Sequence, residues 1–257
     1  MQQGGVRILA EQPPVAVVTG GASGIGLSIV THLVGEGMEV VAVDRDSDSC
    51  VRARQALVEE GGRVQVVEGD IGTPEGAALA IDSAIETFGR LDVLCNNAAV
   101  HPSELIEDHD LETWRETFRV NVDGTMLCSQ RALAFMKDQG RGTIINIGSI
   151  SGHAPYATGG AYAVSKAAIA MLTKVLAIEA GPYGVTVNCI APGSIQHRSG
   201  AEAQAELGAA HIPIGRRGRT ADVEQLVSYL ASDAAGYLTG AVIVLDGGAT
   251  AGRTRRE

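Results

Sequence analysis

The chain has 257 residues, 45% of them hydrophobic but only 4% aromatic, with 33 glycines and a formal charge of −10. That describes one large or two small globular domains with an aliphatic core and many tight turns. The negative charge argues against a nucleic-acid backbone as partner, and the basic end Arg253–Arg256 is too short to change the balance.

Residues 1–13 lack the apolar centre of a signal peptide and read as a loose leader. No apolar run approaches the ~20 residues needed to cross a bilayer, so no membrane span is expected. Cys50, Cys95, Cys128 and Cys189 have neither metal-ligand spacing nor the pattern of a disulfide framework. Cys95 and Cys189 fall in apolar runs, as buried thiols do, and a reducing cytoplasmic setting fits.

Val15–Val18 is a continuous apolar run, the pattern of a strand buried on both faces. It breaks into Thr19-Gly20-Gly21-Ala22-Ser23-Gly24-Ile25-Gly26. A helical pattern follows, with Ile25, Ile29 and Leu33 on one face, and ends at Gly35–Gly37. Met38–Val43 is a second strand, closed by Asp44. Strand, glycine turn, helix, strand and acid together are the setting of a dinucleotide fingerprint, although the glycines are spaced G-x-x-x-G-x-G. Glycines let the backbone approach a pyrophosphate, and the helix N-terminus offers unpaired N–H groups. Asp44 accepts hydrogen bonds from ribose hydroxyls and repels a 2′-phosphate. Arg45 is a guanidinium able to accept that phosphate. No basic residue lies inside the glycine turn, so NAD is favoured over NADP.

Ser49–Glu60 reads as a helix closed by Gly61-Gly62, and Val64–Val67 as a strand leading to Asp70-Ile71. Thr73 caps a helix with Pro74 at its first position, running to Phe88 and stopping at Gly89. Leu91–Cys95 is the fourth strand and opens into Asn96-Asn97-Ala98-Ala99. Asp70 is placed to meet an adenine edge and the Asn-Asn-Ala turn to line a cofactor; both also read as ordinary turn residues. A long helix spans Leu111 to Met136 with Asn121 inside it. Asn121 is either an exposed polar side chain or a distortion that frees a backbone carbonyl to hold water.

Thr143–Ile147 is the fifth strand and delivers Ser149 at its carboxyl end, the rim where open parallel sheets bind ligands. From Ala161 a helix carries Tyr162 and Lys166 one turn apart on one face. A phenol ionises near pH ~10, and a neighbouring cation lowers that value. Tyr162 then acts as general acid/base, Lys166 tunes it, and Ser149 holds a substrate oxygen. This helix is apolar nearly all round. One side faces the sheet; the other packs on a symmetry mate or is covered within the monomer. Val185–Ile190 is the sixth strand, ending in Ala191-Pro192-Gly193. Ser194 to Arg219 reads as a flexible lid, Thr220 caps a helix through Leu230, and Ala241–Leu245 is the last strand. With no repeat, linker or composition break, residues 14–250 read as one domain and 251–257 as a tail.

Taken together, the glycine turn, Asp70, Asn96-Asn97-Ala98, Asn121, Ser149, Tyr162-x-x-x-Lys166 and Pro192-Gly193 resemble the short-chain dehydrogenase/reductase family of the classical type, over nearly the whole chain. The resemblance implies an α/β doubly wound Rossmann fold with seven parallel strands flanked by helices, assembled as a homotetramer. It implies that Tyr162 is the acid/base, that Lys166 holds the nicotinamide ribose and lowers the tyrosine pKa, and that Ser149 orients the substrate. Asn121 holds a water linking Lys166 to solvent. Gly20, Ser23, Gly24, Ile25, Gly26, Asp44, Arg45, Asp70, Ile71, Asn97, Ala98, Pro192, Gly193 and Ile195 join Tyr162 and Lys166 in binding the cofactor. Relatives often carry a threonine where this chain has His197, beside Gln196; His197 contacts the cofactor there or faces substrate. His101, Ser151, His153, Tyr156, Gln196, His197 and Arg198 are substrate-pocket candidates by position alone. The expected reaction is hydride transfer between NAD(H) and a secondary alcohol or ketone. A 3-oxoacyl-thioester reductase is the near alternative and a non-catalytic NAD-binding scaffold the distant one. An epimerase or dehydratase would need a larger C-terminal region.

Overall fold

A computed structural model describes residues 12–59, 64–196 and 212–252. The apolar runs become strands β1 (Val15–Thr19), β2 (Glu39–Asp44), β3 (Val64–Glu68), β4 (Val93–Asn96), β5 (Gly142–Ile147) and β6 (Val185–Pro192). Two short strands follow, β7 (Ile195–Gln196) and β8 (Gly218–Arg219), then β9 (Val242–Leu245). The helices are α1 (Gly24–Gly35), α2 (Ser47–Glu59), α3 (Pro74–Phe88), α4 (Leu111–Phe118), α5 (Gly124–Gln139), α6 (Gly160–Ala180) and α7 (Thr220–Ala231).

One parallel sheet has the order β3-β2-β1-β4-β5-β6-β9. Alternate residues of β1 serve two cores. Ala16 and Val18 pack with Ile29 and Leu33 of α1 and Val223 and Val227 of α7. Val15 and Val17 pack on the other face with Ile81 of α3 and Met136 of α5. Each valine, leucine, isoleucine or methionine so taken out of water contributes roughly 1.5–3 kcal/mol, which is why β1 is an unbroken apolar run rather than an alternating one. The chain winds outward from β1 to β3, then crosses back to β4. The two directions diverge between β1 and β4, and a crevice opens at their carboxyl ends.

Four sequence expectations change. The long helix is interrupted: a π-helical turn, Arg119–Asp123, separates α4 from α5. Asn121 sits in that turn and is 1% exposed, so it is not an exposed polar side chain. Its amide clamps the Val100 backbone from both ends, accepting from the N–H at 2.8 Å and donating to the carbonyl at 3.1 Å. The helix capped by Thr220 instead starts there, with Arg219 as the cap; the Asp222 carboxylate accepts from the Arg219 N–H at 2.7 Å. The stretch expected to be a lid is ordered at its described ends, where β7 pairs with β8; residues 197–211 lie outside the described residues. Finally, Gly160–Tyr183, with a mean hydropathy of 1.5, is long and apolar enough to cross a bilayer by length and composition. It nevertheless packs along β6 and buries Ser165, Lys166 and Thr173, as a core helix does.

Candidate active site

A cavity of about 770 Å³ opens at the carboxyl ends of β1, β4, β5 and β6. The glycine turn forms one end. Gly20 has φ +61° and lies so close to Ala98 that a Cβ would stand 2.9 Å from the Ala98 Cα. Gly26 does not line the cavity. It packs beneath the turn, where a Cβ would meet the Gly20 carbonyl at 1.9 Å. Asn97 braces the same turn, its Nδ2 donating to the carbonyls of Thr19 and Gly20 at 3.0 and 3.1 Å. Ser23 occupies the N-cap position of α1, yet its hydroxyl makes no capping bond. That hydroxyl and the first N–H groups of α1 are therefore available to an anion.

Asp44 ends β2 at the cavity wall and accepts from the backbone N–H groups of Ala22 and Asp46 at 3.3 and 3.2 Å. Asp70 and Ile71 line the wall beyond it. Burial would raise the Asp70 pKa, but bonds from Arg119 and the Gly72 N–H outweigh burial and hold it below the usual range. The site fits a dinucleotide: close backbone approach at the turn, an unused hydroxyl at a helix N-terminus, and a carboxylate past the second strand.

The opposite end carries the reacting groups. Ser149 follows β5; its Oγ accepts from the Ser151 N–H at 3.1 Å and donates to Ser151 Oγ at 3.1 Å. Tyr162, on α6, lines the cavity close enough to Ser149 for that hydroxyl to favour the phenolate. Burial raises the phenol pKa, and the Ser149 hydroxyl opposes the rise only partly. Lys166 is buried one turn later, with its pKa pushed down to about 8 by burial and only partly restored by Cys189. The net shift of the phenol is thus upward, where a lowering was expected, because burial is its largest cause. Lys166 Nζ donates to the Ile147 carbonyl at 2.8 Å and stands 5.6 Å from the Tyr162 ring centre. Asn121 lies behind the lining and donates to Ser165 Oγ at 2.9 Å, one residue before Lys166. Its carbonyl accepts from Thr125 Oγ1 at 2.8 Å.

Gly20, Ser23, Gly24, Ile25, Asp44, Arg45, Asp70, Ile71, Asn97, Ala98, Ser149, Tyr162, Lys166, Pro192, Gly193 and Ile195 all line the cavity, as do His101, Ser151 and Tyr156. His153 and Gln196 do not; His153 is exposed beyond the turn after Ser149. His197 and Arg198 lie outside the described residues. His101 earns a larger place than position alone gave it. Its ring centre is 4.0 Å from that of Tyr162, and its Nε2 is 2.6 Å from the Tyr156 hydroxyl. Burial, then Lys166, pushes the imidazole pKa down, so the ring beside Tyr162 is held towards its neutral form. Arg217 also lines the cavity and was missed: Nε donates to Ser194 Oγ at 2.8 Å and Nη2 to the Ile195 carbonyl at 3.1 Å. No local pattern around Arg217 marks it.

A family model described as enoyl-(acyl carrier protein) reductase matches residues 20–250. The trans-4-hydroxycyclohexanecarboxylate dehydrogenase of Sinomonas cyclohexanicum is 36% identical over 249 residues, covering 95% of each chain. A 3-alpha-(or 20-beta)-hydroxysteroid dehydrogenase of Mycobacterium bovis is 37% identical over 243 residues, covering 95% of this chain and 92% of that one. The crystal structure of levodione reductase superposes with a TM-score of 0.88 at 27% identity, over 93% of this chain and 98% of the other. The protein belongs to the short-chain dehydrogenase/reductase family, a family of oxidoreductases that use a nicotinamide cofactor.

Proposed function

We propose that the protein interconverts a secondary alcohol and its ketone with NAD(H), using Tyr162 as general acid/base. One observation carries this reading: Ser149, Tyr162 and Lys166 line the same cavity as the glycine turn and Asp44. Bound NAD supplies the hydride acceptor. Ser149 Oγ holds the alcohol oxygen, and the Tyr162 phenolate takes its proton. Lys166 steadies the ribose and the phenolate, and the water beside Asn121 returns protons to solvent. The relatives named for hydroxycyclohexanecarboxylates and hydroxysteroids support a secondary alcohol on or beside a ring as substrate. The test is the absorbance of NADH appearing across a panel of cyclic secondary alcohols. Binding of NAD with no turnover on any of them would sink the assignment.

The choice of NAD over NADP rests on Asp44, whose carboxylate would meet a 2′-phosphate as a like charge. Asp44→Ala is expected to lower the ratio of kcat/KM for NAD to that for NADP by about tenfold, since one such contact is worth roughly 1–2 kcal/mol. An unchanged ratio would remove the ribose contact from the account.

Self-association, as a tetramer, is part of the same proposal. Val164, Met171, Val175 and Ile178 form one stripe along the outer side of α6, with Ile178 77% exposed. The monomer leaves that stripe open, so the helix is not fully covered within one chain. Ile178→Lys is expected to shift the sedimentation coefficient towards a smaller species. A wild-type protein that sediments as a monomer would end this part of the proposal.

A further inference from the structure

Arg45 lines the cavity immediately after Asp44, where a guanidinium is suited to grip a phosphate on the ribose 2′ position. It is already engaged. Nη1 donates to Glu116 Oε1, in the last turns of α4, at 2.8 Å. The same carboxylate takes two bonds from Arg119, one from Nε at 2.7 Å and one from Nη2 at 2.9 Å. Arg119 in turn donates to Asp70 at 2.8 Å. Four charges of alternating sign therefore run Arg45–Glu116–Arg119–Asp70, from the end of β2 to the end of β3. Their sum is zero, and Glu116 is the member shared by both cations.

An isolated exposed ion pair holds its partners weakly. Here the Arg119 fork fixes the carboxylate from the other side, so Arg45 meets an acceptor already in place. The Arg119 bond, more than that from Arg45, holds the Glu116 carboxyl below the usual range. Glu116 thus stays anionic at neutral pH.

We infer that Glu116 is a specificity-determining residue: it sequesters Arg45 and so withholds that cation from the 2′-phosphate of NADP. Glu116 acts through Arg45 and Arg119 and does not itself line the cavity. The inference deepens the NAD reading and rests on it. Neutralising Glu116 has two consequences of the same sign. One negative charge leaves the ribose end, and the Arg45 guanidinium is released.

The experiment is equilibrium binding followed by the fluorescence of NADH and of NADPH, on wild type, Glu116→Gln and the double variant Glu116→Gln with Arg45→Ala. Glu116→Gln is expected to improve NADPH affinity relative to NADH by about fivefold, the upper end of what an exposed ion pair is worth. In the double variant the gain is expected to disappear. A wild type that binds NADPH more tightly than NADH overturns the NAD reading and this inference with it. A wild type that prefers NADH, with a ratio unmoved by Glu116→Gln, overturns the inference alone. So does a gain that survives Arg45→Ala, because the released group would then be another.

Discussion

Replacing Tyr162 with phenylalanine is expected to lower kcat by at least ~10²–10⁴-fold, the range for a general acid/base group, while NADH still binds. The substitution removes one oxygen and little else. The ring can keep its place against His101, 4.0 Å between centres, and the glycine turn, Asp44 and Asp70 are untouched. What is lost is the oxygen that the alcohol proton must reach. Such a loss corresponds to roughly 3–5 kcal/mol of transition-state stabilisation. Binding energy at the dinucleotide end cannot supply that, because it is equal in ground and transition states. Turnover within a few-fold of wild type, with binding intact, would remove Tyr162 from the chemistry.

Lys166→Met is the second large effect. The side chain keeps most of its length but loses the ammonium and its bond to the Ile147 carbonyl. Removing a cation near a phenol disfavours the phenolate, so the phenol pKa rises further above its already raised position. At any fixed pH below that value less phenolate is present. The rising limb of the pH–rate profile in the oxidative direction should therefore move to higher pH, with kcat at neutral pH reduced ~10²-fold or more. The wild-type amine, titrating at about 8 before any ligand is bound, carries its proton below that pH and supports the phenolate there. The fold should tolerate the change. A buried ammonium costs desolvation that Met does not, against one orphaned carbonyl, so the melting temperature should move by only a few degrees. A profile that falls in height without shifting would assign Lys166 to ribose binding alone.

Much of this arrangement is legible in the chain because its signals are local. A strand buried on both faces must be continuously apolar, and Val15–Val18 is. A backbone so close to Ala98 that an added Cβ would stand 2.9 Å from its Cα must use glycine, and Gly20 is there. Tyr162 and Lys166 share a helix, so a spacing of four settles their common face. Ser149 comes from a strand end that parallel topology delivers to the same rim.

The rest depends on contacts that sequence distance hides. A π turn adds a residue to a helix without changing its composition, so Leu111–Met136 looks uniform although Asn121 reaches across to Val100 and Ser165. Arg45 and Glu116 are 71 positions apart, and nothing near either announces the other. His101 and His153 are alike as loop histidines, and only the fold sets the first ring 4.0 Å from that of Tyr162. The direction of the Tyr162 pKa shift was likewise out of reach. It depends first on how deeply the fold buries the ring, which no pattern around Tyr162 reveals.

The most direct test is a crystal structure of the protein with NAD and a turnover-resistant secondary alcohol bound together. The account predicts the alcohol oxygen within ~2.6–3.2 Å of both Tyr162 Oη and Ser149 Oγ, with Lys166 Nζ on the nicotinamide ribose. An alcohol oxygen held by other groups, with Oη turned out of reach, would contradict it.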